Sequence, residues 1–403
     1  LKIAEALKLN SSLISLDLGG KSIPQEVASV LFNALKENTS LMSLNLGYSS
    51  LAKALEIATL MKLNHSLKSL DLSNNRFDKE GAKVLAEALK FNSRLESLNI
   101  GWNDSRDEGV SAIAEALKLN SSLKALNLES NLIKEEGVSA IAEALKLNSS
   151  LISLDLGLNS RGKKGALTIA EALKVNNSLI SICLKAIYFE SEGASAIINA
   201  LNVNTSLTTL DLSCNSLGKK EASVIAEVIK HSSSLNALSL ADNSFGDEAV
   251  FKIFEALKLN SSLKALNLRR NGITDEGAYA IAEALKENTM LTSLHLGDNK
   301  ITEEGAITIS RALRFNPSLF QLIFREKTLR DCFYELQDFA VNTECFEKAL
   351  LEKLIGVDGA KVLANKKSYE ISDYLCWSAL LTLLNGKLCR INIWPLLSLN
   401  STT

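Results

Sequence analysis

The apolar positions of this chain recur in a fixed order. The pattern L-x-x-L-x-L, with a few conservative swaps, begins at Leu13, Leu41, Leu67, Leu95, Leu123, Leu151, Leu179, Leu207, Leu235, Leu263, Leu291 and Leu319. Each start lies 28 residues after the last, except for one step of 26 from Leu41 to Leu67. Intervals this regular mark an array of internal repeats. Within one unit, LKALNLESNLIKEEGVSAIAEALKLNSS (residues 123–150), two periodicities follow each other. Leu126 and Leu128 are two apart, which predicts a short strand with these side chains on one face and Ala125 and Asn127 on the other. Val138, Ile141, Ala142 and Leu145 then fall at i, i+3, i+4 and i+7, which predicts a helix with one apolar face. Glu135 and Glu136 sit at its start, where the helix dipole favours them. Asn131 follows the strand, and Asn75, Asn103, Asn159, Asn215, Asn243, Asn271 and Asn299 take the same place in other units. A side-chain amide there can satisfy backbone groups as the chain turns.

One such unit cannot bury its apolar face alone, whereas stacked units share a continuous core. Strands side by side sit about 4.8 Å apart and packed helices about 8–10 Å, so a stack with all strands on one side bends with the strands inside. With about 0.3–0.4 radian per unit, twelve units make roughly half to three-quarters of a circle. The expected fold class is therefore α/β: an open horseshoe solenoid with a parallel sheet on the concave face and helices on the convex face.

These residues resemble the leucine-rich repeat superfamily, specifically its ribonuclease-inhibitor-like class. The resemblance rests on L-x-x-L-x-L-x-x-N followed by a helix of the EGAxAIAEAL kind, as in LTSLHLGDNKITEEGAITISRAL (residues 291–313). It covers about residues 1–327, and the first unit is entered in mid-repeat. Relatives implied by it include ribonuclease inhibitor, the sensor arms of NOD-like receptors, Ran GTPase-activating protein and effectors of intracellular bacteria. They share architecture and not activity, so fold does not choose among them. The resemblance implies a non-enzymatic module that binds a protein partner, with a microbial effector acting on host proteins as one setting. A small-GTPase regulator or a receptor sensor arm is the alternative.

In this superfamily partners meet the outward-pointing strand residues. The second x of each motif reads Asp17, Asn45, Asp71, Asn99, Asn127, Asp155, Cys183, Asp211, Ser239, Asn267, His295 and Ile323, mostly small and polar. Departures from that consensus are the candidate partner-binding residues. Tyr48, Trp102, Leu158 and Arg270 share one position just beyond the strand. Exposed aromatic and Arg side chains are the composition of a binding hot spot. Arg269 joins Arg270 as a contact pair, with a solvated pair facing Asp242 and Asp298 as the competing reading. Lys185, Glu129 and His295 complete the set.

Other chemistry is weakly supported. Residues 157–163 read G-x-x-x-x-G-K, most of a phosphate-binding loop, but Lys164 stands where a magnesium-binding Ser or Thr is needed. Alignment by 28 places Gly157 on Glu129 and Lys163 on Glu135, so the stretch reads as an ordinary repeat turn. Lys163, Lys164, Lys219 and Lys220 could gather into a basic rim patch, against a plainer reading as scattered solvated charge. The chain has three His. His65 and His231 fall in loops, and His295 has no evident nucleophile beside it, so no catalytic residue, metal site or cofactor is expected. Lys plus Arg, 44, nearly balances Asp plus Glu, 46. No nucleic-acid partner, no membrane and a monomer are expected.

Residues 328–403 lose the repeat register and look helical, which predicts a small helical cap. Cys332, Cys345, Cys376 and Cys389 within it lack the close C-x-x-C pairs of a zinc site. Cys183 and Cys214, on neighbouring strands but offset by three positions, are read as about 11 Å apart, too far for a disulfide. Sparse cysteines point to reduced thiols and a cytoplasmic location, with delivery into a host cell as the variant that the bacterial relatives imply. The chain begins without Met in mid-helix, so a piece of a longer protein is expected.

Overall fold

The computed structural model describes residues 2–324 except Ala52, Ser160 and Arg161. The expected boundary at 327–328, the C-terminal cap and its four cysteines lie outside the described residues. Within them, twelve three-residue strands alternate with twelve helices, and the strands form one parallel sheet in simple chain order. Every strand pairs with its successor without a slip. Ser15, Ser43, Ser69, Ser97 and Ala125 are directly in register, as are Asp17, Asn45, Asp71, Asn99 and Asn127. The short step between Leu41 and Leu67 leaves the Ser43–Ser69 register intact. That repeat's helix, Ala54–Leu63, has 10 residues and lacks the Glu-Glu-Gly first turn seen in Glu135–Leu145.

The periodicities act as the sequence predicts. In the repeat at 123–150, Leu126 and Leu128 are buried together with Val138, Ile141, Ala142 and Leu145, so strand and helix close one layer of a core that runs through all the repeats. Neighbouring helices approach closely at the glycine of the helix start. A Cβ at Gly137 would stand 2.5 Å from Ile133 Cγ2 and 2.6 Å from Asp107 Oδ1, so a larger residue would push two repeats apart.

Two asparagine ladders hold the layers at their two edges. On the strand-to-helix edge, Asn131 Nδ2 donates to the carbonyls of Ile100, Leu128 and Glu129 at 2.9, 3.1 and 3.2 Å. Its Oδ1 accepts from the Ser105 backbone N–H and hydroxyl. On the helix-to-strand edge, Asn148 Nδ2 donates to Leu117 and Asn120 carbonyls at 2.7 and 3.0 Å, and its Oδ1 accepts from the N–H groups of Ser150 and Leu151. Buried backbone groups must find partners, and these amides supply them between repeats.

The acidic helix starts also do more than complement a dipole. Asp107 Oδ1 accepts from the N–H groups of Lys134 and Gly137 in the next repeat, and Asp275 does the same for Thr302 and Gly305. In these repeats the helix start thus caps its successor.

Candidate interaction surface

The strand face turned away from the helices carries two rows. One holds Ser, Ala and Thr, ending in Gln321; the other is the mainly Asp/Asn row, with Cys183, Ser239, His295 and Ile323 as its exceptions. The Asp/Asn row is partly committed to its own turn, because Asn127 Oδ1 accepts from Glu129 N–H at 2.7 Å and Asp155 Oδ1 from Gly157 N–H at 2.8 Å. That local Asx turn is a structural reason for the near-consensus row. In the repeats with Asp or Asn at this place, one side-chain oxygen is spent before any partner arrives.

Three residues past each strand but the last, the backbone enters the left-handed region, even where the residue is not glycine. Tyr48, Trp102, Leu158 and Arg270 have φ of 56°, 55°, 54° and 52°. The N–H of each donates to the next repeat: Tyr48 to Ser73, Trp102 to Glu129, Leu158 to Lys185 and Arg270 to Gly297, at 2.7–3.0 Å. This links expected site residues directly. Trp102 also donates from its indole Nε1 to Glu129 Oε2 at 3.1 Å, so the two form one unit across a repeat boundary. Tyr48, Trp102 and Leu158 lie on alternate repeats, about 10 Å apart at the strand spacing, and Arg270 lies four repeats beyond Leu158. Tyr48 and Trp102 are 53% and 39% exposed, whereas Leu158 is half-buried.

A second left-handed position, five residues past the strand, places Leu132 and Tyr188 at φ 55° and 54°, both exposed. Trp102, Leu132, Leu158 and Tyr188 therefore occupy four consecutive repeats on the strand-to-helix edge. Sequence reading passed over Leu132 and Tyr188. Aligning the fifth residue after each strand was the signal that would have found them.

The two arginines form a separate ionic cluster. Arg269 Nε and Nη2 donate to Asp298 Oδ2 at 3.0 and 2.6 Å, while Arg270 reaches Asp298 at 3.2 Å and Asp242 at 3.5 Å. Arg269 holds the Asp298 carboxyl below its usual range, and Asp242 raises Arg270. In the middle of the sheet, Asp155, Cys183 and Asp211 stand in direct register. Burial, with Glu129 and Asp211 nearby, pushes Asp155 up to about 6, and burial also raises Asp211. Burial and these carboxylates push the Cys183 thiol well up. Lys185 is half-buried and draws Asp211 back down. His295 sits in register between Asn267 and Ile323. Cys183 and Cys214 are free thiols.

A family model described as a leucine-rich repeat matches residues 63–86, 91–114, 119–142, 203–226, 231–254, 259–282 and 287–310. Together with the twelve-stranded repeat sheet, this settles the family. The chain is a leucine-rich repeat protein. Among solved structures it is similar to the complex of Rad7 and Elc1 in yeast, at 20% identity and a TM-score of 0.51, over 80% of this chain and 75% of that one. It is also similar to the leucine-rich repeat-containing protein LegL7 from Legionella pneumophila, at 19% identity and a TM-score of 0.49, over 76% of this chain and 100% of that one. At such identities the likeness concerns the fold alone. A search of curated proteins finds no match to the chain.

The repeat geometry also accounts for the phosphate-loop look-alike. Lys163 opens the helix Lys163–Val175, and Glu135 Oε1 of the preceding repeat accepts from Lys164 N–H at 3.2 Å. A carboxylate thus stands at the helix N-terminus where a phosphate would bind. Lys163 pairs with Glu192 and Lys219 with Glu248, each on the following repeat. Two of the four lysines expected to form a basic rim patch, Lys163 and Lys219, are thus held in separate ion pairs two repeats apart. Among the described residues no group of three or more His, Cys, Asp or Glu could hold a metal ion, and no helix is long and apolar enough to cross a membrane.

Proposed function

We propose that this leucine-rich repeat protein is a non-enzymatic docking module whose protein partner seats on the strand-to-helix edge around Trp102 and extends over the adjoining sheet face. The observation that carries this reading is the run of exposed or half-buried apolar side chains, Trp102, Leu132, Leu158 and Tyr188, each at positive φ. The left-handed turn itself recurs in the other repeats, at Asn74, Ser130, Ala186, Cys214, Asp242 and Asp298 among them, so the large apolar side chains and not the backbone set this run apart. Large rigid side chains beside small polar ones give an anchor with a hydrogen-bonding surround. Arg269 and Arg270 form a second contact, Lys185, Glu129 and His295 flank the path between, and Tyr48 extends the edge toward the N-terminal repeats. The setting we infer is cytoplasmic, with a microbial effector acting on host proteins as its form. Sparse cysteines and near-consensus repeats support that setting.

The test is an affinity pull-down from eukaryotic lysate with quantitative mass spectrometry. It compares the chain with Trp102→Gly and with Arg270→Glu, each checked by circular dichroism. A protein retained by the parent and reduced at least tenfold by Trp102→Gly supports the reading. Equal retention by all three chains contradicts the anchor assignment.

A further inference from the structure

The helix-to-strand edge carries a feature independent of the site above. One residue before each buried asparagine of that edge stands an exposed side chain, and in six consecutive repeats it is apolar. Leu63, Phe91, Leu119, Leu147, Val175 and Val203 are 52%, 74%, 70%, 70%, 57% and 60% exposed. Their backbone positions are fixed, because each following asparagine, such as Asn120 or Asn148, hydrogen-bonds to carbonyls of the previous repeat. The result is a ridge with one apolar knob per repeat on a rigid edge. Small polar residues, Ser93, Ser121, Ser149 and Thr205 among them, lie exposed beside it.

We infer that this ridge is a self-association surface that takes a second copy of the chain, in two-fold antiparallel arrangement. Three observations select that occupant. The first is charge. Lysines precede most of the knobs, and Lys90, Lys118, Lys146 and Lys174 are each held by the glutamate three residues earlier, Glu87, Glu115, Glu143 and Glu171. Lys62 and Arg94 are exposed on this edge outside those pairs, so the four neutralised pairs leave only a small cationic excess, which gives an anionic bilayer little purchase and two copies little like-charge repulsion. The second is period. The knobs advance by one repeat at a time, and a second copy brings the same step. A two-fold axis across the ridge reverses its direction and keeps that step, which is the closed symmetry most oligomers adopt.

The third observation is area. A Val, Leu or Phe side chain carries on the order of 60–120 Å² of apolar surface by transfer energetics, so six at this exposure leave roughly 200–500 Å² bare on each copy. That is as large as the biggest apolar patch on an ordinary monomer. With the lysine stems and serine rows alongside, a symmetric contact reaches the lower end of stable interfaces, about 1,200 Å² in total. This departs from the monomer expected from the sequence.

Sedimentation equilibrium of the full chain from about 1 to 200 μM tests the inference. It uses the parent, Leu119→Glu with Leu147→Glu, and the milder Phe91→Ser with Val175→Ser. All these positions are exposed, so circular dichroism and melting should match the parent. The expected result is a mass rising with concentration from 43.7 kDa toward twice that value, with association weakened at least tenfold in either variant. A parent that stays at 43.7 kDa throughout, or a dimer that both variants leave intact, overturns it. So does a monomer that pellets with phosphatidylserine vesicles through the same residues, which would assign the ridge to lipid.

Discussion

Trp102 holds φ at 55°, where a Cβ crowds the following carbonyl at a cost of about 1–2 kcal/mol. Glycine at that position removes the crowding and loses the indole bond to Glu129, and these two changes are of similar size. We therefore expect Trp102→Gly to melt close to the parent, while Trp102→Val, with a branched Cβ in the same conformation, melts lower by about 1–2 kcal/mol. Equal melting of the two variants in a denaturant series would show that the strain is not there. Asp155 makes a second residue-scale case. Its pKa is pushed up to about 6, above the roughly 3.9 of an unfolded Asp, so the folded chain binds the extra proton between those values. Stability from this group is full below about pH 4 and is lost as pH rises through about 6. The lowered carboxyls of Asp275 and Asp298 act oppositely, losing their contribution as pH falls through their folded values. Asp155→Asn keeps an acceptor for Gly157 N–H, as Asn127 does for Glu129 N–H. The variant should gain about 1–3 kcal/mol at pH 7.5 and little at pH 4.5 in urea unfolding. A gain of equal size at both pH values would place the effect elsewhere.

At the scale of elements, the helices and strands were legible because two periods, 2 and 3.6, alternate without ambiguity, as Leu126–Leu128 and Val138–Leu145 show. The strand-to-helix asparagines were legible too, since Asn131 follows a strand and turns need amides. Their counterparts at the other edge, such as Asn148, were hidden in KLNSS, which reads as a polar linker until the bonds to the previous repeat are seen. The left-handed turn was also invisible, because Tyr, Trp, Leu and Arg are residue types that no pattern assigns to positive φ. One repeat breaks the second ladder. Ser232 stands where Asn204 and Asn260 stand in neighbouring repeats, and its hydroxyl accepts only from Leu235 N–H at 3.2 Å among the described bonds. Restoring the amide with Ser232→Asn should add hydrogen bonds to the carbonyls of Leu201 and Asn204. We expect a gain of about 1–2 kcal/mol and slower amide exchange in residues 229–237. Unchanged exchange there would mean that the junction is already satisfied.

The described repeats form a quasi-one-dimensional stack in which each repeat touches its neighbours, so surfaces are built one residue per repeat. That is why the fold could be read from the spacing of Leu13 through Leu319 and the site could not. A surface row is a set of residues 28 apart, and its meaning depends on which side of the layer each position faces. The strand face, the left-handed edge around Trp102 and the ridge of Leu119 and Leu147 are three such rows with different chemistry. Under the proposed function, a protein partner uses the first two. Hydrogen–deuterium exchange of the chain, with and without the partner recovered by pull-down, tests it most directly. We expect slowed exchange in peptides spanning 100–106, 128–134 and 156–159, with the helix Glu135–Leu145 unchanged. Protection confined to that helix and its neighbours, with those turns unaltered, would contradict it.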